Sequence, residues 1–259
     1  MSATASAKEQ FDRQAAHYNG QWASWTDETL QRMIVLADPQ PTWRVLDVAT
    51  GTGFTALGFA PRVAHVTGAD LSPGMLAQAT KRAEEQGIAN IDWVETPAES
   101  LPFMDGAFDL VTVRIAPHHF SDVGTFLSET RRVLKSEGVF MLGDTTVPDD
   151  DPVAADWQNA VERERDPSHV ANLSPETWRV LSERAGFTVT DLEGLSGAIR
   201  IALTPWLETA GATGERAERV RSLFAQAPKS ARHHFEIATD AEGETHFSWQ
   251  RVVLRAVVR

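Results

Sequence analysis

The sequence predicts an α/β fold, a doubly wound and mostly parallel sheet with helices on both faces and a substrate-covering elaboration. Three observations carry that expectation. From Trp43 to Asp144, short apolar runs alternate with stretches of helical periodicity. Gly51 and Gly53 sit where the first run passes into the first of those helices, and the acids Asp47 and Asp70 stand at the ends of the first two runs.

Taken in order, residues 6–16 are polar with Phe11 and Ala15 at helical spacing. Asp27 to Ala37 forms a second helix with Leu30, Ile34, Val35 and Leu36 inward, stopped by Asp38-Pro-Gln-Pro41. Val45, Leu46 and Val48 make the first strand, and Phe54 to Ala60 begins a helix. A strand from Val63 to Ala69 precedes a helix from Pro73 to Gln86, which Gly87 ends. Strands at Ile91 to Glu95, Phe108 to Val113 and Gly138 to Asp144 follow, with a helix at Val123 to Leu134. Pro152 to Glu164 reads as a helix, and Ser174 caps another with Pro175 at its first position. Gly186 to Asp191 and Val252 to Val258 are the last two strands. One domain over 1–259 is expected, with an N-terminal helical cover at 1–40 and a cofactor-binding core at 41–146. Segments 147–193 and 245–259 complete the sheet, and 194–244 covers the substrate.

Composition narrows the function. The 259 residues carry 36 Asp and Glu against 24 Lys and Arg, a formal net charge of −12, which disfavours a sequence-independent grip on nucleic acid or an anionic membrane. With no cysteine, disulfides, Cys-ligated zinc and a thiol nucleophile are excluded. No apolar run is long enough for membrane insertion and Met1–Lys8 lacks a signal-peptide core, so a cytoplasmic location is expected. Homodimerisation is left open.

The glycine turn is a nucleoside-cofactor signal that two classes share. Gly51-x-Gly53-x-x-Ala56 with Asp70 downstream satisfies the loose dinucleotide pattern, so the glycines alone do not separate NAD from S-adenosylmethionine. Asp47 does separate them. Beside a pyrophosphate an acid repels, whereas a methionyl ammonium favours it.

Asp47-x-Ala49-x-Gly51-x-Gly53 resembles the first motif of class I S-adenosylmethionine-dependent methyltransferases, with Ala49 in place of the first glycine. Phe11 to Tyr18 is similar to the opening helix of the ubiquinone/menaquinone-biosynthesis (type 11) branch, and Ala69 to Met75 to its second motif. Ala98-Glu-Ser-Leu-Pro-Phe103 with Phe108-Asp-Leu-Val111 resembles the third motif, and Arg132 to Gly138 the turn before the fifth strand. Arg114 to Asp122 and Arg165-Asp-Pro-Ser-His169 look like a bacterial subgroup acting on small molecules. The resemblance implies a Rossmann-like fold, S-adenosylmethionine as methyl donor and S-adenosylhomocysteine as product. It implies cofactor contacts from Asp47, Ala49, Thr50, Gly51, Gly53, Asp70, Leu71, Met75, Ala98, Glu99 and Arg114. Asp70 would bind the ribose, and Leu71 and Met75 would wall the adenine. Where the third motif usually carries an Asp, this chain has Pro97, which shifts adenine recognition to the backbone at Ala98 and to Glu99.

His118 and His119 follow the fourth strand, where imidazole serves either as a base for an acceptor hydroxyl or amine or as pocket lining. Tyr18, His119, His169 and Arg200 are the candidate substrate contacts. His169 by itself reads as a polar surface residue, but with Arg114 and Arg200 some of the histidines would make a cationic pocket for a carboxylate or phenolate. No metal site is expected, because adjacency of His118 and His119 does not put both rings on one face and no HExxH occurs. A nucleic-acid methyltransferase would need an Asn/Asp-Pro-Pro-aromatic loop where this chain has Arg114-Ile-Ala-Pro117. An NAD-dependent oxidoreductase would need a second mononucleotide half. An S-adenosylmethionine-binding protein with another activity is the remaining alternative.

Overall fold

The computed structural model describes residues 8, 10–12, 20–195 and 200–259, with residues 20–26 described in backbone only. A seven-stranded sheet forms its centre, built from β1 (Arg44–Val48), β2 (His65–Asp70), β3 (Ile91–Glu95), β4 (Phe108–Arg114), β5 (Leu134–Thr145), β6 (Phe187–Leu195) and a last strand, Arg251–Val258. The spatial order is β3-β2-β1-β4-β5, then the last strand, then β6. The first five strands pair in parallel, and the last strand runs antiparallel to both its neighbours.

This order fixes where a ligand sits. After β1 the chain builds outward to β2 and β3, then returns to lay β4 against the other side of β1. The loops leaving β1 and β4 therefore part, and a crevice opens at the carboxyl ends of the strands.

The predicted helices appear as α1 (Gly20–Ala37), α2 (Phe54–Phe59), α3 (Pro73–Glu85), α4 (Val123–Val133), α5 (Pro152–Arg165) and α6 (Pro175–Arg184). Their starts are set by short polar side chains: Ser72, Asp122, Asp151 and Ser174 each accept a hydrogen bond from the backbone N–H three residues on. Proline occupies the first turn of α3, α5 and α6, where its missing donor costs nothing. In α1 the inward face differs from the sequence expectation. Val35 is 65% exposed, whereas Met33 and Ala37 are buried with Leu30 and Ile34. The buried set steps by three and four, which leaves Val35 on the outer side of the cylinder.

Apolar clusters cover both faces of the sheet. One contains Phe126, Phe140, Trp178 and Phe187, and the other holds α1 and α2 through Met33, Phe59, Val66 and Met141. Trp93 of β3 illustrates how tightly this is built, because its ring lies across Gly68 of the paired strand β2. A Cβ on Gly68 would overlap that ring. Gly68→Ala should destabilise the fold by about 1–2 kcal/mol, as overpacking does. Urea denaturation checks this, and an unchanged midpoint would mean that Trp93 has room to move.

Beyond Ile201 a second core forms. β7 (Ile201–Ala202), α7 (Leu203–Thr209), α8 (Gly214–Ala225), α9 (Lys229–His234), β8 (Ala238–Thr239) and β9 (Thr245–Phe247) precede the last sheet strand, β10. Together with α5 they bury Trp157, Trp206, Phe224, Phe235, Phe247 and Trp249 against one another. Three of the eight tryptophans are used here, in edge-to-face contacts such as Trp206 with Phe247 at 4.9 Å. This segment therefore shares an apolar interior with α5 and brings the end of α7 to the sheet's crevice.

Candidate functional site

Two adjoining cavities occupy the carboxyl edge of the sheet. The larger, a cleft of about 1050 Å³, is lined by the loops after β1 (Ala49 to Thr52), β2 (Asp70, Leu71), β3 (Thr96 to Glu99) and β4 (Arg114 to Ala116). Met75, Phe54, His119 and Phe120 add to its walls. Nine of the cofactor contacts implied by the sequence line it: Ala49, Thr50, Gly51, Asp70, Leu71, Met75, Ala98, Glu99 and Arg114.

Asp47 and Gly53 stand behind this lining. Asp47 is 1% exposed and accepts hydrogen bonds from the hydroxyls of Thr50 (2.6 Å) and Thr112 (2.7 Å). Burial pushes its carboxyl up to about 6, against the opposing pull of those two hydroxyls and of Arg114. Gly53 begins α2 with φ +85°, packed beneath the loop against Trp93 and Ala79. Both shape the turn: Asp47 holds Thr50 from below, and the Gly53 amide donates to the Thr50 carbonyl at 2.9 Å.

The turn itself is demanding. Ala49 and Gly51 both take positive φ, +51° and +54°, and Ala49 does so with a side chain, in the region that favours glycine. At Gly51 nothing lies within 4 Å of where a Cβ would be, so the turn faces open space on the cleft side.

Asp70 accepts from the Gly51 amide (2.7 Å) through Oδ2 and from the Ser72 amide (2.9 Å) through Oδ1. Burial nonetheless raises its pKa above the ordinary carboxylate value. Each oxygen spends one lone pair on the loop and keeps another, so a ribose diol can be received at a carboxylate already oriented by backbone. Leu71 and Met75 offer apolar walls beside it. A fixed carboxylate, an unobstructed turn and apolar walls fit the ribose, methionyl chain and adenine of S-adenosylmethionine.

Glu99 reaches across to Ser121, accepting from its hydroxyl at 3.1 Å and its amide at 3.3 Å. Arg114 Nε donates to Thr55 Oγ1 at 2.9 Å. Phe11, Thr96, Pro97 and Ile115 also line the cleft. None of the four is a contact implied by the sequence, although Phe11 and Ile115 lie within motifs that carry the resemblance and Pro97 is the departure in the third.

The smaller cavity, about 450 Å³, is polar and shares Phe11, Ile115 and His119 with the cleft. His118, Glu162, Arg165, Asp166, His169, Thr209 and Ala210 complete it. Several sequence expectations are corrected here. His118 and His119 do put both rings on one cavity, with centroids 4.2 Å apart, because they lie in a short 3-10 turn, Pro117–His119, rather than on a strand. His169 is 6% exposed rather than a surface residue. The Arg165-Asp-Pro-Ser-His169 segment folds back against the histidine pair, and the Val170 amide donates to the His118 carbonyl at 2.8 Å. Arg200 is exposed and lines neither cavity. Tyr18 lies outside the described residues. With Glu162 and Asp166 in its wall, this cavity is not the cationic pocket expected from the sequence.

Each imidazole is held by a separate partner. His118 Nδ1 lies 2.7 Å from Asp144 Oδ1, and the His118 amide donates to Asp144 Oδ2 at 3.1 Å. Burial opposes charging of this ring, but Asp144, with Glu162 and Asp166, holds its pKa above the ordinary histidine value. His119 Nδ1 lies 3.0 Å from Ser168 Oγ, whose hydroxyl donates to Asp166 Oδ1 at 2.6 Å. Burial, with the neighbouring His118, lowers His119 to about 3. His169 Nε2 lies 3.0 Å from Asn159 Oδ1, and burial lowers its pKa as well. Among the described residues no group of three or more His, Asp or Glu side chains is arranged to hold a metal ion. No described helix is long and apolar enough to cross a membrane.

Comparison with known proteins agrees with this geometry. Residues 46–142 match the methyltransferase domain family. The chain is 33% identical to the uncharacterized methyltransferase YcgJ of Bacillus subtilis (strain 168) over 250 residues, 96% of this chain and 98% of that protein. The crystal structure of YcgJ superposes with a TM-score of 0.83, covering 90% of this chain and 99% of that one. A putative methyltransferase of Bacillus halodurans C-125 gives the same TM-score at 31% identity, covering 88% of this chain and 97% of that one. Demethylmenaquinone methyltransferase of Thermus thermophilus is 43% identical over 110 residues, 42% of this chain and 50% of that protein. With the relative matched across nearly its whole length, the chain belongs to the class I S-adenosylmethionine-dependent methyltransferases.

Proposed function

We propose that the protein binds S-adenosylmethionine in the larger cleft and transfers its methyl group to a small-molecule acceptor in the adjoining polar cavity. The observation that carries this reading is the convergence of four strand-end loops on one cleft with Asp70 and Gly51 at its rim. In it, Asp70 receives the ribose hydroxyls, Leu71 and Met75 flank the adenine, and Ala98 and Glu99 meet its edge. Ala49, Thr50, Gly51 and Arg114 meet the methionyl end, with Asp47 and Gly53 fixing the turn from behind. When bound, the cofactor supplies an electrophilic methyl carbon on a sulfonium. The chain's own contribution is alignment of the acceptor and exclusion of water.

The sheet disfavours the NAD alternative, because the strand beside β5 is antiparallel and no second parallel mononucleotide half follows. The net charge of −12 weighs against a nucleic-acid acceptor. Isothermal titration tests the reading: S-adenosylhomocysteine is expected to bind and NAD not to bind. Binding of NAD without S-adenosylhomocysteine would overturn it.

A further inference from the structure

The polar cavity is built to accept hydrogen bonds, and its tautomers follow from its partners. Asp144 also accepts from the His118 and Thr145 amides, so His118 presents Nδ1–H to it, and above the His118 midpoint Nε2 is left bare. The Ser168 hydroxyl gives its proton to Asp166, so its oxygen accepts from His119 Nδ1–H and leaves His119 Nε2 bare. Asn159 Oδ1 accepts from the Asn172 amide at 2.7 Å while its Nδ2 donates to the Asn172 carbonyl. His169 must therefore donate through Nε2, leaving Nδ1 bare. The three rings that line this cavity therefore each keep one nitrogen able to accept a hydrogen bond when neutral.

The guanidinium nearby is largely engaged. Arg165 gives Nε to the Trp206 carbonyl (3.1 Å), Nη2 to Thr209 Oγ1 (3.0 Å) and Nη1 to Glu162 (3.4 Å), and it stacks over the Trp206 ring. A ligand that satisfies this cavity brings hydrogen-bond donors of its own. A carboxylate would meet lone pairs and two carboxyl groups.

Resting on the reading of the cleft as the methyl-donor site, we propose that the acceptor is a small polyhydroxylated molecule, held by the bare nitrogens of His118, His119 and His169, with His118 as the base and Asp144 as its positioning residue. His119 belongs to both cavities, which puts the acceptor hydroxyl at their junction. The hydroxyl oxygen forms the bond to the methyl carbon while the carbon–sulfur bond breaks and its electron pair stays on sulfur. The hydroxyl proton passes to His118 Nε2, and the positive charge moves from sulfonium to imidazolium before the proton leaves to solvent. His119 has the geometry to hold the hydroxyl but is too weak a base to take its proton, whereas Asp144 keeps His118 basic.

Protein with isotope-labelled imidazoles, free of methyl donor, is titrated with catechol as the probe. Catechol should shift the ring resonances of His118 and His119. Veratrole, its dimethyl ether, should not, nor should benzoate, and benzylamine, with one donor group against catechol's two adjacent hydroxyls, should bind more weakly. Catechol binding should strengthen as pH rises through the His118 midpoint, since protonated Nε2 accepts nothing; Asp144, Glu162, Asp166, His119 and His169 are the titratable groups facing that ring. His118→Gln should weaken catechol at least fivefold and leave S-adenosylhomocysteine within threefold. Asp144→Asn should lower the His118 midpoint, and it carries the test if His118→Gln does not fold. Equal binding of veratrole, benzoate or benzylamine would overturn the proposal. So would catechol binding that moves no imidazole resonance, or loss of S-adenosylhomocysteine affinity in parallel with catechol. Failure of the wild-type protein to bind S-adenosylhomocysteine would instead sink the reading of the cleft.

Discussion

Asp70→Ala is expected to weaken S-adenosylhomocysteine binding by about 1–3 kcal/mol, roughly 5- to 150-fold. The carboxylate is oriented by the Gly51 and Ser72 amides, so its remaining lone pairs are fixed before a ligand arrives and little ordering entropy opposes their use. The same substitution leaves those two amides without their acceptor, which costs stability as well. The two effects separate experimentally: affinity by calorimetry on the folded variant, stability by urea denaturation. An unchanged affinity in a folded Asp70→Ala protein would show that the carboxylate serves the loop alone.

The cleft was legible in the sequence because its determinants are local and sterically demanding. A turn that must take positive φ at Gly51 and Gly53 selects glycine, and a strand end that must accept from the Gly51 and Ser72 amides selects an acid, so both leave marks at fixed spacing. The helix starts were legible for the same reason, Ser174-Pro175 being the plainest case. The polar cavity was not. Its pairs join residues far apart in the chain, Asp144 to His118 across 26 positions and Ser168 to His119 across 49, and no periodicity connects them. His118 and His119 were identified as candidates, but side-by-side histidines on an extended chain would point apart. Only the 3-10 turn begun by Pro117 brings their rings together. The Arg165 to His169 motif is a likeness without a place in the sequence, and the fold gives it one: Ser168 meets His119, and the Val170 amide just beyond donates to the His118 carbonyl.

The 194–244 segment shows the same division. Its glycines and prolines marked 194–244 as irregular, but the aromatic interior that joins it to α5 draws Trp157 from one side of the sequence and Trp249 from the other. That core matters for chemistry because α5 ends at Glu162, Arg165 and the loop carrying Asp166, and α7 ends at Thr209. The histidine-rich cavity is thus walled by a unit with apolar packing elsewhere, so its buried polar groups lie outside the aromatic cluster that joins the unit together.

Asp47→Asn should make the protein more stable at pH 8 by about 2–3 kcal/mol while weakening its hold on the methyl donor. In the folded protein burial raises this carboxyl to about 6, above its unfolded value near 3.8. A carboxyl shifted that way contributes stability at low pH, where it is protonated in both states, and loses it as pH rises through about 6. Asparagine has nearly the same shape and no charge to bury. The stability gap between variant and wild type should therefore be small at pH 4, open between about 4 and 6, and stay level above. Thr50 and Thr112 can turn their hydroxyls to suit either oxygen or amide, so the turn survives the exchange. What the exchange removes is negative charge behind the part of the cleft assigned to the methionyl ammonium. S-adenosylhomocysteine affinity should then fall by about 1–2 kcal/mol at pH 8, and the wild-type protein should lose affinity on acidification through about pH 6 whereas the variant should not. Paired denaturation and calorimetric titrations across pH 5–8 check both halves. A variant less stable than wild type at pH 8 would mean that the ionised carboxylate is needed to hold the turn. A variant more stable and equally tight in binding would mean that the acid serves neither the turn nor the methyl donor.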